Sequence, residues 1–328
     1  MDTIEVLPLG NCRSGAIAEA EIDMSSGKLG GGLGGAWFAG LHRCAITCLF
    51  LVIITVHTFV ISVDLLDWPL VVALLILGLG VPHGALDIEL AKTHRHLTGI
   101  FQISSFIWTY AALAGLTGAA WFMLPGWSLA AFLLISAYHF GGDWQEHVGV
   151  SGRFGLGAAL LSATALFHDD QVAQIFAWLA PKDAANWLAS SMQGLAPLLL
   201  VFSAGLAAKL FQQAAWVSVE ILITLGGAAL LPPITFFLIY FCLLHSPRHF
   251  VAARMELAHL SLPDLVGAAL PYALVAIMGS IGGALMVFRL QPGPALLASV
   301  FMMLAALTTP HMILVDSDSG SAPRRSYF

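Results

Sequence analysis

The feature that most constrains this chain is a series of long apolar runs with few charged side chains. The runs cover residues 44–63, 68–90, 101–124, 127–141, 154–168, 194–208, 215–231, 233–250, 265–288 and 294–315. A helix needs about 20 residues to cross the hydrocarbon core of a bilayer, or ~17 at the short end. The fourth, fifth and sixth runs are short by this measure, so each is expected to begin earlier, to tilt or to be partly re-entrant.

The composition agrees with a chain that lies in a lipid bilayer. Of the 328 residues, 59% are hydrophobic and only 10% are charged, whereas soluble domains carry about 25% charged residues. The sequence lacks the alternating segments of about ten residues that build membrane β-barrels, and a spanning backbone must otherwise be helical. We therefore predict an all-α polytopic transmembrane helix bundle of about 8–10 spans, located in the cell membrane.

The two ends of the chain differ from this apolar body. Residues 1–40 combine acidic side chains with a glycine-rich stretch from Gly30 to Gly35, which predicts a flexible tail. Residues 41–316 are predicted to form one transmembrane domain that carries the metal site and the catalysis, and residues 317–328 a C-terminal tail. The net charge of −6 includes no basic tract, so no nucleic-acid partner is expected.

Basic residues between the runs predict an orientation. Lys92, Arg153 and Lys209 each follow an even-numbered run, and an excess of Lys and Arg marks cytoplasmic loops. Both termini are therefore predicted to be cytoplasmic, with Arg289, after the ninth run, as an exception.

Five histidines lie near the predicted cytoplasmic ends of even-numbered runs, namely His83, His139, His245, His249 and His311. Ionisable groups inside a bilayer are expensive and usually functional. Helices that run in the same direction can bring side chains of equal depth together, so a common site is predicted. His168 falls at the opposite membrane face and is excluded from this group.

The motif Pro82-His83-Gly84 closes the second run, and Asp87 follows one helical turn later. Residues four apart share a helix face. Asp87 is therefore placed to accept a hydrogen bond from an imidazole N–H and to fix the tautomer of a ligand histidine. Taken alone, the motif fits a structural His–Asp contact between helices equally well.

Two further motifs repeat and strengthen this pattern. Tyr138-His139-Phe140 is followed by Asp143, which repeats the His-x-x-x-Asp spacing at the same predicted depth. His245 and His249 are also four residues apart, and two such histidines present two nitrogens to one metal ion. We interpret this pair as metal ligands in preference to structural residues.

Three further polar residues are interpreted without a role as metal ligands. Arg248, between the paired histidines, is expected to point away and extend to the membrane interface. His311 is interpreted as a residue that supports the ligand histidines and does not itself bind the metal. Glu220, a lone carboxylate in the seventh run, is interpreted as a protonated or hydrogen-bonded contact between helices.

The residues thus predict a metal site with four ligands, His83, His139, His245 and His249, supported by Asp87, Asp143 and His311. Neutral imidazoles suit Fe, Zn, Cu or Ni, so the ligand type leaves the metal open. Catalytic metals keep coordination positions open, and a six-coordinate iron with four histidines leaves two positions for dioxygen or substrate.

At these motifs the sequence resembles the Brp/Blh family of membrane-bound β-carotene 15,15′-dioxygenases, over residues 45–316. The matching residues are Pro82-His83-Gly84-Ala85 with Asp87, Tyr138-His139-Phe140-Gly141 with Asp143, His245-Ser246 with Arg248-His249, and Pro310-His311-Met312. The resemblance implies a non-haem Fe(2+) centre held by the four histidines. It also implies cleavage of the central double bond of β-carotene by O2 to give two molecules of retinal, with a retinal-using opsin as a candidate downstream partner.

Two other function classes fit parts of the pattern. A di-iron lipid desaturase or hydroxylase also places His-x-x-x-His on membrane helices, but it needs several such boxes and this sequence contains one. A metal or proton transporter, or a haem-binding membrane protein, also carries ionisable groups within its spans. Inverted repeats would favour a transporter, and no convincing one is found in the sequence.

Overall fold

A computed structural model describes residues 33–60, 64–286 and 291–314, and every regular element in these ranges is a helix. Side chains are described from residue 41 onward, except at 42, 43 and 81–83 and in the gaps between the ranges. The predicted C-terminal tail and residues 1–32 of the predicted N-terminal tail lie outside the described residues. The first helix begins at Leu33, inside the segment that the sequence assigned to a tail ending at residue 40.

The helices are numbered in chain order as α1 (Leu33–Phe59), α2 (Pro69–His94), α3 (Ile100–Met123), α4 (Pro125–Phe140), α5 (Val150–Phe167), α6 (Asp169–Leu179), α7 (Lys182–Phe211), α8 (Ala215–Leu230), α9 (Pro233–Glu256), α10 (Leu262–Met286) and α11 (Pro292–Leu314). Within the described ranges, 7 of them are long and apolar enough to cross a membrane: α2, α3, α5, α7, α9, α10 and α11. Shorter apolar helices cover Cys44–Phe59 and Ala215–Leu230. The polytopic all-α bundle predicted from the sequence is therefore confirmed.

The largest departure from the predicted spans lies between residues 170 and 193. No apolar run was predicted there, but the segment is divided between the short helix α6 and the first turns of α7, which is 30 residues long. The first turns of α7 contain Asn186, Ser190 and Gln193, which lower the local hydropathy without interrupting the helix. The sixth span consequently begins twelve residues earlier than the apolar run.

Helices α4 and α5 approach each other closely at the end that carries the site. A Cβ atom on Gly141 would lie 1.7 Å from the carbonyl oxygen of Arg153, and one on Gly157 would lie 1.7 Å from that of Ala137. Only glycine allows two backbones to come this near. Arg153 also donates from Nε to the carbonyl of Tyr138 at 2.8 Å. This contact fixes the short 3₁₀ turn Gly141–Trp144 that follows α4.

Two helices, α2 and α9, are irregular in the same way. In α9 an α-helical start, Pro233–Ile239, passes through a π-helical segment, Tyr240–His245, before the α-helix resumes at Ser246–Glu256. In α2 a π-helical segment, Ile76–Gly80, is followed by a 3₁₀ segment, Val81–Leu86. A proline follows each π segment by two residues and lacks the N–H that a regular ladder needs. Such π segments are frequent at functional sites.

The two irregular segments pack against each other. A Cβ atom on Gly80 would lie 2.1 Å from the ring of Phe241, and the Ser246 hydroxyl donates to the carbonyl of Gly80 at 3.2 Å. The bend in α2 therefore fits against the bend in α9, beside the histidines of α9. Elsewhere α3 and α10 expose large apolar side chains, including Trp108, Leu116, Met278 and Leu285. Such faces suit contact with lipid.

Candidate metal centre

Three of the predicted ligands converge at one end of the bundle. His139 lies near the end of α4, and His245 and His249 lie on α9. Each offers one ring nitrogen, and these three nitrogens lie within 4.8 Å of one another. His139 and His245 are buried, whereas His249 is partly exposed.

The spacing of these nitrogens fits a metal ion. The Nε2 atoms of His139 and His245 are 3.0 Å apart. Two nitrogens that bind one ion at right angles are separated by about 3.0 Å when each bond is about 2.1 Å long. All the donors are imidazoles, which suits iron, zinc, copper or nickel. The residues present therefore fit a transition metal, while the identity of the metal stays a prediction.

Asp143 fixes the orientation of His245. Its oxygens lie 3.1 and 3.2 Å from Nδ1 of His245, and it also accepts a hydrogen bond of 2.6 Å from the Tyr240 hydroxyl. The carboxylate assigns the ring proton to Nδ1, so the lone pair is on Nε2, the nitrogen that faces His139. The same carboxylate is 3.7 Å from Nε2 of His249.

The i,i+4 spacing suggested that Asp143 shares a helix face with His139, and the structure places it differently. The α-helix ends at Phe140, and Asp143 lies in the 3₁₀ turn Gly141–Trp144. This change of helix type turns the carboxylate toward α9. Asp143 therefore supports a histidine 102 residues away instead of the one on its own helix.

Asp87 has the partner type that the sequence predicted, but the histidine is a distant one. Its two oxygens lie 2.8 and 2.9 Å from Nδ1 of His311 on α11, and the Tyr110 hydroxyl donates to it at 2.9 Å. The His311 ring centroid lies 5.3 Å from that of His139 and 6.4 Å from that of His249. His311 thus lies beside the three converging histidines.

The side chain of His83 lies outside the described residues, so its role as the fourth ligand stays a prediction. Its backbone belongs to the 3₁₀ segment Val81–Leu86 of α2. Gly80, three residues before His83, accepts a hydrogen bond at its carbonyl from Ser246, which is adjacent to His245. The backbone of this segment is therefore next to α9 at the level of the site.

The interpretation of Arg248 as a residue that extends to the interface was wrong. Arg248 is buried and donates from Nη2 to Oε2 of Glu220, while Trp144 donates to Oε1 of Glu220 at 2.7 Å. Glu220 makes hydrogen bonds between helices, which was one of its two predicted interpretations. It is not a lone charged group, however, because it pairs with Arg248. Buried ions need such a partner, and α8 provides one that lies 28 residues from Arg248.

The sequence analysis did not identify Tyr110, Tyr240 or Met312 as residues of the site. Met312 Sδ lies 3.0 Å from Nδ1 of His139, and Tyr110 and Tyr240 each donate to one of the two carboxylates. An aromatic residue within an apolar run is common in membrane helices, so its position alone carried no signal. Only 5 tyrosines occur in the chain, and a hydroxyl deep in a bilayer needs an acceptor.

His168 belongs to the other end of the bundle, as predicted. Helix α5 starts near the turn that carries Asp143 and ends just before His168. Burial lowers the pKa of His168, while a backbone hydrogen bond involving Ala229 and the charge of Asp64 act in the opposite direction. Burial therefore disfavours the charged form of this imidazole. His168 is not grouped with the candidate ligands.

Comparison with known proteins adds an independent finding. A family model described as Beta-carotene 15,15'-dioxygenase matches residues 74–317. A protein named Beta-carotene 15,15'-dioxygenase, from the uncultured marine bacterium 66A03, is 31% identical over 276 residues, which cover 77% of this chain and 94% of that protein. No solved structure matches the chain. The matched range contains every histidine that the sequence and the structure assign to the site.

Proposed function

Since the chain belongs to the beta-carotene 15,15′-dioxygenase family and is an enzyme, we propose that it cleaves β-carotene or a related carotenoid at the central 15,15′ double bond. The reaction uses O2 and yields retinal. The catalytic metal is Fe(2+), held by His139, His245 and His249 together with His83. A retinal-using opsin is the candidate downstream partner.

The observation that carries this proposal is the convergence of three imidazoles inside an apolar helix bundle. The Nε2 atoms of His139 and His245 are 3.0 Å apart, and Asp143 fixes His245 in the tautomer that a metal needs. Ionisable groups inside a membrane are energetically costly, and those that occur there usually have a function. A binding site for an apolar substrate at the same depth explains why the histidines lie there.

The surroundings of His245 suit a polyene substrate. Its ring lies against Phe140, with centroids 5.1 Å apart, and is stacked on Phe241 at 5.8 Å. Phe237 extends this aromatic surface toward α11 through Phe301, at 5.1 Å. Sites for apolar ligands are lined in this way, with a few polar groups that fix orientation. Phe140, Phe241 and His245 are buried, so a carotenoid, which dissolves in the bilayer, enters between the helices from lipid without passing through water.

The protein groups have separable roles in this reaction. Bound Fe(2+) supplies the activation of O2. Asp143 keeps the proton on Nδ1 of His245, and Tyr240 donates to the same carboxylate and holds it in place. The aromatic surface excludes water and orients the polyene. The C15=C15′ bond breaks and each carbon receives one oxygen atom of O2, so no further oxidant or reductant is needed.

The proposal also places the chain in the cell membrane, with the histidine end and both termini on the cytoplasmic side. The seven apolar helices of the described ranges support the location in a membrane. The distribution of Lys and Arg between the predicted runs supports the cytoplasmic side for the histidines and for both termini. Labelling of a cysteine introduced in the C-terminal tail, in sealed vesicles of known orientation, tests this placement.

Production of retinal in cells that make β-carotene is the direct test of function. We expect cells that express the chain to lose colour and accumulate retinal, and the His249→Ala variant to lose both the activity and the iron. One iron per chain is expected, whereas two would favour the desaturase class. Unchanged colour, with the protein present and loaded with iron, would exclude this substrate.

A further inference from the structure

A second group of buried polar side chains lies behind the histidines. Arg248 and Glu220 form an ion pair, and the indole N–H of Trp144 donates to the other oxygen of Glu220 at 2.7 Å. All three side chains are buried. A buried ion pair is often no more stabilising than apolar residues of the same size, so global stability alone does not account for this group.

The group is connected to the metal centre at two points. Trp144 is adjacent to Asp143 in the turn Gly141–Trp144, and Asp143 holds His245. Arg248 lies between His245 and His249 on α9. The contacts therefore form a closed ring that runs from His245 through Asp143 and Trp144 to Glu220, and then through Arg248 back to α9.

The ring joins three separate elements around the ligands. Asp143 and Trp144 come from the turn after α4, Arg248 and the paired histidines from α9, and Glu220 from α8. Among the described contacts, the side chain of Glu220 is the group by which α8 reaches this ring. Through this carboxylate, helix α8 contacts both Trp144 and Arg248, which are the neighbours of the site residues Asp143 and His249.

A side-chain contact helps to fix the rotation of α9, because the backbone ladder of this helix is irregular beside the ligands. The ladder changes from α to π at Tyr240–His245, and Pro247 has no N–H to donate. Helices in a membrane lack a hydrophobic driving force between them, so interhelical hydrogen bonds contribute to how they pack. A planar guanidinium paired with a carboxylate is directional, so it sets the angle of the helix that carries both ligands.

Resting on the proposed function, we propose that Glu220 is a positioning residue for the metal centre, and that it acts through Arg248 and Trp144. It fixes the rotation of α9 relative to the turn that carries Asp143. Catalytic constellations must be held within about 0.5 Å of their productive geometry. Loss of the Glu220 charge therefore loosens the grip of His245 and His249 on the metal before it unfolds the bundle.

The test compares Glu220→Gln with Ser218→Ala, a matched control on the same helix. Ser218 is also buried and hydrogen-bonded, but its hydroxyl donates to the carbonyl of Ala207, away from the ring. For the detergent-solubilised holoprotein we would measure the rate of iron loss to a chelator, the thermal midpoint, and the absorption bands of the Co(II)-substituted form. Glu220→Gln is expected to lose iron about 10- to 100-fold faster, as for other groups that support metal ligands, and to shift the Co(II) bands. Ser218→Ala is expected to do neither.

Two further variants keep the test decisive. Glu220→Asp keeps the charge and should recover part of the iron retention. Trp144→Phe removes one donor and leaves the ion pair, so it tests the ring if Glu220→Gln does not fold, with a smaller acceleration of iron loss. Iron retention and Co(II) bands equal to those of the wild type in Glu220→Gln would overturn the proposal.

The outcome is distinguishable from a failure of the proposed function. A wild-type protein that holds a metal but makes no retinal would reject the carotenoid reaction, while faster metal loss in Glu220→Gln would still support the positioning role. A wild-type protein that binds no metal would overturn both.

Discussion

Two groups of one tyrosine, one aspartate and one histidine lie at the candidate metal centre, and their hydrogen bonds are alike. In the first, Tyr240 and His245 both contact Asp143. In the second, Tyr110 and His311 both contact Asp87. Each aspartate assigns the proton to Nδ1 of its histidine, which puts the lone pair on Nε2. We call them the Asp143 group and the Asp87 group.

The groups differ in burial and in their distance from the other histidines. The side chains of His245 and Asp143 are 0% and 1% exposed, whereas those of His311 and Asp87 are 14% and 2% exposed. His245 belongs to the set of three nitrogens within 4.8 Å, and His311 does not. In each pair the carboxylate orients the lone pair of a histidine nitrogen, and the packing of the helices decides whether that nitrogen joins the converging set.

Replacement of the histidines should give the largest contrast between the groups. We expect His245→Ala to lose bound iron and retinal formation completely, because it removes a central ligand. His311→Ala should keep most of its iron and lose about tenfold in rate, the lower range for groups around a ligand set. Iron content and retinal formation of both purified variants measure this. Complete loss of iron in His311→Ala would make His311 a ligand and remove the distinction.

Replacement of the aspartates should give a smaller contrast. Asp143→Asn permits the wrong tautomer of His245, so we expect a 10- to 100-fold loss of iron affinity or activity, as is typical for such groups. Asp87→Asn acts on His311 and should cost about tenfold or less. Iron titration of the two apoproteins measures the difference. Equal losses would show that the two groups share the work of holding the metal.

Removal of the tyrosine hydroxyls should have the smallest effect. Each of Tyr240→Phe and Tyr110→Phe removes one hydrogen bond to a carboxylate, and such bonds contribute about 1.5–3 kcal/mol. We expect several-fold faster iron loss in Tyr240→Phe, and little change in Tyr110→Phe, because its histidine lies outside the converging set. Chelator kinetics on both variants provide the measurement. A larger effect in Tyr110→Phe would contradict the order of the two groups.

The sequence was sufficient for the architecture and for the convergence of three histidines at the candidate site. Apolar length and scarce charge predicted the helical bundle, because a spanning backbone has few alternatives. His139, His245 and His249 were predicted to lie at a common depth, and the structure brings them together. The i,i+4 spacing correctly placed His245 and His249 on one helix face. His83 was predicted by the same reasoning, and its side chain lies outside the described residues.

The spacing of residues along the sequence could not identify the hydrogen-bond partners of the polar residues. Asp87 pairs with His311 across 224 residues, and Arg248 points inward because Glu220 on another helix accepts its charge. Such pairs depend on which helices pack together. The 3₁₀ turn at Asp143 was also missed, because close contact between α4 and α5 at Gly141 and Gly157 produces it.

The π-helical segment of α9 has a consequence for how insertions and deletions act on this enzyme. One residue turns an α-helix by about 100°. His245 is the last residue of the π segment, and His249 lies four residues later on the same helix. A single-residue deletion within 240–244 would restore a regular ladder and leave both imidazoles in the chain, yet aim the pair at a different neighbour. The number of residues before the pair, as much as their identity, sets where the metal can bind.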